Sequence, residues 1–275
     1  MRVDAHQHFW RFDQVRDSWI TEEMAAIQKD FMPGDLEPLL SANGFDGCIA
    51  VEAHPSEEET NFLIGLAGQH SFIKGVVGWV DLQAENISER LAHFSQQKIV
   101  KGFRHGLESE ERRDIMLLPD FIRGMAALNE FDFTYDLLIL PDQLIPSKGL
   151  AAQFPEQKFV IDHLAKPPIR KKEIKEWTLD IESIAKLPNV WCKVSGMVTE
   201  ADWEAWKKDD LRPYIDVILE NFGIDRIIFG SDWPVCLVAA SYDEVVAIVK
   251  DYFSSFSSDE QQKVFGGNAV AFYNL

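Results

Sequence analysis

Positive charge is scarce in this chain. Its 275 residues hold 27 Lys and Arg against 45 Asp and Glu, a net charge of −18. Such a surface excludes nucleic acid and anionic membrane as partners, because both repel it. A small anionic ligand stays possible, since a few local cations can dominate one pocket. Cysteine is scarce too. Cys48, Cys192 and Cys236 stand far apart in no paired spacing, which predicts no disulfide framework and a reducing compartment. No apolar run approaches the ~20 residues that span a bilayer. The first residues show no basic segment leading into an apolar one. A soluble, cytoplasmic protein is expected. There is no low-complexity tract and no sequence repeat, and nothing in the sequence speaks to oligomeric state.

What recurs is an alternation. Short β-branched or aromatic runs, eight of them, stand at 3–9, 47–54, 73–81, 100–107, 133–140, 158–165, 190–196 and 227–234. Between them lie helix-like segments. Residues 57–70 set Phe62, Leu63, Leu66 and Ala67 on one face, and 87–97 do the same with Ile87, Leu91 and Phe94. Residues 211–223 end in Gly223, a suitable C-cap, and 257–275 form a last helix with Ser258 as its N-cap. The acidic run at 57–59 suits a helix N-terminus. Eight strands alternating with helices over this length predict an α/β protein, a (β/α)8 TIM barrel in one domain over residues 1–275. A doubly wound open sheet is the alternative. It would show a glycine-rich phosphate turn after its first strand, and "HQHFWRF" stands there instead.

Barrel active sites form at the C-terminal ends of strands. Here those ends are polar and the beginnings apolar. The first ends in His6 and His8, the second in Glu52 and His54, and the fourth in Arg104 and His105. Asp136 lies on the fifth, Asp162-His163 end the sixth, Lys193 lies on the seventh, and Asp232-Trp233 end the eighth. Residues i and i+2 of a strand share a face, so His6 and His8 project together, with Asp4 one layer deeper. Two imidazoles so placed can ligate one divalent metal or donate to one substrate oxygen. Each residue also has a bland reading: a backbone-bonded histidine, a helix N-cap aspartate, a rim ion pair. Together, at matching strand ends, they point to a site. His70 and His93 fall on helical segments and read as surface residues, His54 can line the mouth, and the cysteines read as small core residues.

The motifs "DAHQHFW", "GVVGWVDL", "VKGFRHGL", "DHLAKP" and "FGSDWPV" span the chain in this order. They resemble the amidohydrolase superfamily, and within it the sugar-lactone hydrolase branch. The resemblance implies that His6, His8, His163 and Asp232 form the catalytic set and are the metal ligands if a metal is bound. Superfamily members with two metals carry a bridging lysine or glutamate on strand 4 and a histidine on strand 5. This chain has "GFRH" and "FTYDLLIL" there, so two metals are not expected. One divalent ion, zinc or similar, or no metal at all, both fit.

The expected reaction is hydrolysis of a lactone, a small-molecule substrate. Asp232 is the base that activates water, and His6, His8 and His163 stabilise the oxyanion directly or through one ion. Arg104 is expected to hold a substrate oxygen, Glu52, Asp136 and Lys193 to bind hydroxyls, and Trp10 and Trp233 to form walls, with Trp79 a wall or core residue. Arg11 and Arg16 in the long first loop can fold over the mouth. Several carboxylates and one strand-end arginine favour a neutral aldonolactone, of the L-fucono or L-rhamnono type, over a dicarboxylate. The rivals are a metal-dependent decarboxylase of the same superfamily and a non-catalytic binding barrel. The first lacks its strand 5 histidine; the second leaves a buried carboxylate among histidines without a task.

Overall fold

The computed structural model describes residues 1–275. Eight parallel strands form one sheet in sequence order: β1 (Val3–Gln7), β2 (Gly47–Val51), β3 (Ile73–Gly78), β4 (Val100–Gly106), β5 (Thr134–Leu138), β6 (Phe159–Ile161), β7 (Val190–Val194) and β8 (Ile227–Phe229). Each is followed by a helix: α1 (Pro33–Asn43), α2 (Glu57–Ala67), α3 (Ile87–Ser95), α4 (Pro119–Glu130), α5 (Leu144–Gln153), α6 (Lys175–Ile184), α7 (Lys208–Phe222) and α8 (Tyr242–Tyr252). This is the (β/α)8 barrel that the alternation predicts. No helix is long and apolar enough to cross a membrane.

The sheet closes just beyond β8, through the residues of interest. The His8 amide donates to the Trp233 carbonyl at 2.7 Å, and the Asp232 amide donates to the His6 carbonyl at 2.8 Å. The barrel interior is a small apolar plug of Val3, Ala5, Ile49, Val51, Val77, Val160 and Ile228. Its open end is stoppered from below by Phe272 and Tyr273 of the C-terminal helix. The larger core lies between the strands and the surrounding helices.

The C-terminal segment differs from the single helix expected over 257–275. It divides into α9 (Ser258–Gln262), a wide turn over Lys263–Gly267, and α10 (Asn268–Tyr273). The break has a steric cause. A Cβ at Gly266 would lie 2.2 Å from the Met1 carbonyl oxygen, so the helix opens where the start of the chain crosses it. The N-cap is Ser257, not Ser258; its hydroxyl accepts from the Glu260 amide in a capping box.

Candidate active site

The site stands on the plug. β1 sends His6 upward, and His8 follows on the same face just past the strand end. Their Nε2 atoms are 3.2 Å apart. β6 ends early, and His163 enters from a left-handed turn, with φ +52°. Asp232, three residues past β8, is also left-handed at φ +58°. Its Oδ1 lies 3.5 Å from His8 Nε2, 3.8 Å from His163 Nε2 and 3.9 Å from His6 Nε2. The four residues expected from the strand ends therefore meet around one carboxylate oxygen. Two glycines make the room. A Cβ at Gly230 would sit 2.5 Å from His6 Cβ, and one at Gly196 would sit 2.6 Å from His163 Nδ1.

Each imidazole is oriented from behind. His8 Nδ1 is 2.9 Å from the Val51 carbonyl, an acceptor only, so this nitrogen carries the proton. His6 Nδ1 faces Asp162 Oδ1 at 3.3 Å, while the donor-only Arg104 Nη1 stands 3.3 Å from its Nε2. Lys193 Nζ, also a donor only, stands 3.1 Å from the same Nδ1, so the His6 ring is held between two cations and a carboxylate. His163 Nδ1 lies 2.9 Å from the Ser195 hydroxyl. Two imidazole Nε2 atoms and a carboxylate oxygen converge. Electron-rich atoms gather this closely around a cation, and the donor set of His6, His8 and Asp232 fits one divalent ion with nitrogen and oxygen ligands. The choice left open by the sequence, between oxyanion donors and metal ligands, moves toward ligands.

The electrostatics agree. Burial would raise the Asp232 carboxyl, but the imidazoles of His163, His8 and His6 around it hold it below the usual carboxylate range. Burial pushes His6 well down and His163 down, so both are neutral near pH 7.

Beneath the histidines lies a buried charged layer. Lys193 Nζ is 2.5 Å from Asp136 Oδ2, 2.9 Å from Asp162 Oδ1 and 3.1 Å from His6 Nδ1. Tyr273 from the stopper donates to Asp136 Oδ2 at 2.8 Å. Arg104 donates to the Glu52 carboxylate at 2.8 Å, to the Glu52 carbonyl, and to Asp162 Oδ2 at 3.2 Å. Asp136 and Lys193 are fully buried below the floor and do not line the cavity above, where hydroxyl-binding groups were expected. Arg104 and Glu52 do reach it, but the guanidinium is already engaged by protein.

That cavity has a volume of about 670 Å³ and its floor is His8, His163 and Asp232. Its aromatic walls are Trp19, Trp79 and Trp203. Trp10 and Trp233, the expected walls, are buried and do not line it. Trp10 has turned away to pair with Phe31 and donates to the Lys29 carbonyl. Trp233 packs on Phe31 and Phe9. Arg11 and Arg16 do not line the cavity either; the first loop contributes Trp19 and Met24 instead, while Arg16 pairs with Asp17. Sequence reading passed over Glu108, Lys166, Glu200 and Trp203, which also face the cavity. "DHLAKP" contained Lys166, but its direction depends on the handedness of a turn.

The chain is 39% identical to an L-fucono-1,5-lactonase of Burkholderia multivorans, over 100% of this chain and 96% of that protein. A solved amidohydrolase of Burkholderia multivorans with bound zinc superposes with a TM-score of 0.95 at 39% identity, covering 100% of this chain and 99% of the other. An L-rhamnono-gamma-lactonase of Scheffersomyces stipitis is 25% identical over 77% of this chain and 66% of its own length. The amidohydrolase family model matches residues 3–275, and the chain belongs to that family.

Proposed function

We propose that this protein hydrolyses the ring ester of a sugar-derived aldonolactone, with L-fucono-1,5-lactone as the first substrate to try. One observation carries the reading: three imidazoles and one ionised carboxylate meet on the floor of a cavity walled by indoles and carboxylates. The similarity to lactonases along the full chain supports the ester as the bond that is cut.

His6, His8 and Asp232, with His163 beside them, would hold a single divalent ion. When bound, such an ion supplies positive charge that polarises the carbonyl and acidifies water. The chain's own residues do the rest. The cavity floor positions the lactone carbonyl carbon above Asp232. The Asp232 carboxylate takes a proton from water as the water oxygen bonds to that carbon. The bond from the carbonyl carbon to the ring oxygen then breaks. The proton returns from Asp232 to the departing ring oxygen, which becomes a hydroxyl. The open-chain product is a carboxylic acid and ionises, so turnover releases one proton. Arg104, bonded to Glu52 and Asp162, positions His6 and does not grip substrate. Indole faces pack against the apolar faces of a sugar ring, and the carboxylates of the wall accept from its hydroxyls. Buried, unbridged cysteines accord with a cytoplasmic setting.

The test is proton release from a panel of aldono-1,4- and 1,5-lactones, with zinc content measured on the same sample before and after chelation. Release that falls with zinc and returns with it is expected. No release from any lactone overturns the reading. The decarboxylase alternative finds Asp136, tied to Lys193 and Tyr273, on the strand where it needs a histidine ligand.

A further inference from the structure

The chain does something unusual after β6. Four consecutive residues that are not glycine, His163, Leu164, Ala165 and Lys166, have φ of +52°, +56°, +57° and +48°. Left-handed backbone costs an L-residue about 1–2 kcal/mol, so such a run persists only where its surroundings hold it. Here they do. Leu164 and Ala165 are fully buried, the Trp177 indole donates to the Leu164 carbonyl at 2.8 Å, and the Lys166 amide donates to the His163 carbonyl at 2.7 Å. In so tight a turn, residues i and i+3 share a face. His163 and Lys166 accordingly both face the cavity, one at its floor and one nearer its mouth.

Lys166 forms an ion pair with Glu108, which follows β4, and both side chains are about a quarter exposed, at 23% and 26%. Glu200, from the loop after β7, lines the same cavity, near enough for its charge to act on the ammonium. Three separate loops thus bring a carboxylate, an ammonium and a carboxylate together in the cavity. The other lining cation, Arg104, is occupied by Glu52, Asp162 and His6.

We propose that Lys166, paired with Glu108 and sharing its cavity with Glu200, is the specificity-determining residue that reads the hydroxyl groups of the bound lactone. This rests on the lactonase reading. A hydroxyl both donates and accepts. An ammonium paired with one carboxylate and sharing its cavity with another offers donors beside acceptors, a match for neighbouring hydroxyls that unsubstituted carbon cannot satisfy. Burial pushes Glu200 up to about 7, with Lys166 opposing and Glu108 and Asp232 adding to the rise, so Glu200 can serve as donor or acceptor near neutral pH. An ion pair serving stability alone would contribute little at this exposure, and the turn that aims His163 also brings Lys166 into the cavity.

The experiment compares an aldono-1,5-lactone that the protein opens with its monodeoxy analogues, each lacking one hydroxyl. The parent is expected to lose about 10- to 100-fold in kcat/KM on at least one analogue, the scale of a hydrogen bond to a charged group. Lys166→Met should lose a similar factor on the full lactone, mainly in KM, and show no further loss on that analogue. Its zinc content and melting temperature should match the parent, and Lys166→Arg should recover part of the discrimination. An equal loss by Lys166→Met on the full lactone and on every analogue overturns the proposal, since it assigns Lys166 to the scissile bond or to structure. No loss overturns it too. A parent that opens no lactone overturns the lactonase reading and this proposal with it; a working parent whose preferences survive Lys166→Met overturns this proposal alone.

Discussion

Asp232 is fully enclosed by groups that favour its charge, and that enclosure makes its replacement informative. In Asp232→Asn the amide fills the same space but cannot take a proton from water. We expect kcat to fall by about 10²–10⁴-fold, the usual weight of a general base, with the circular dichroism spectrum unchanged. A variant as fast as the parent would remove Asp232 from the mechanism. Glu59 makes a different point. It sits in the first turn of α2, buried, its carboxyl accepting from the Ala53 amide at 3.4 Å. Burial pushes it up to about 7, the Ala53 bond opposing and the charge of Glu52 adding. The folded form therefore holds its proton more tightly than the unfolded one. Stability from this group is complete below the unfolded value near 4.5 and is lost as pH rises toward 7. In Glu59→Gln that loss is absent. The stability difference from the parent should grow by about 1.4 kcal/mol per pH unit between those limits, as urea melts at pH 5 and pH 7 would measure. At this scale the sequence brought out the residues that meet at the cavity floor, because His6, His8, His163 and Asp232 stand at or just past strand ends. Strict alternation failed for Asp4, expected beneath His6, since the β1 register shifts there and its carboxylate accepts from the Ser231 amide and the Tyr242 hydroxyl. The sequence did not show Lys166 or Glu200, whose directions are set by loops, nor that Asp136 and Lys193 would satisfy each other.

Elements tell a similar story. All eight strand runs are strands, but β6 and β8 keep only three residues each where eight were expected. The lost residues are those that turn left-handed to aim His163 and Asp232, so strand ends were misjudged where the chemistry lies. Helices α2 and α3 were legible from one apolar face, and the end of α7 from Gly223. α1 and α5 were not, since each spreads its apolar residues around the helix. The turn after β7 offers the sharpest test. Gly196 has φ +62° and a Cβ there would strike the His163 ring. Gly196→Ala should cost about 1–2 kcal/mol from backbone conformation alone, and more from the clash. It should also lower zinc retained after dialysis, because His163 must swing away from Asp232. Thermal melts and metal analysis on one sample check both.

The whole molecule is layered along the barrel axis: aromatic stopper, apolar plug, charged layer, histidine floor, open cavity. Each layer supports the next. Phe272 is fully buried at the base of the plug, and Phe272→Ala should lower stability by about 3–5 kcal/mol. Chemical denaturation would show this, while a smaller fall in kcat at low temperature would show the floor still in place. Zinc bound only by the folded form should raise the melting temperature, and chelation should lower it. The net charge of −18 made the polarity of the cavity wall legible in outline; the layering was not, because it depends on which side chains face inward at each height.

The seam of the barrel carries one more consequence. Amides and carbonyls of His6, His8, Asp232 and Trp233 join its first and last strands. A cut in the loop between β4 and α4 would leave His6 and His8 on one fragment and His163 and Asp232 on the other. Neither fragment alone could open a lactone. Mixed together, they would regain activity only as β8 came to rest against β1, so that the rate of acid release would time the closing of the barrel itself.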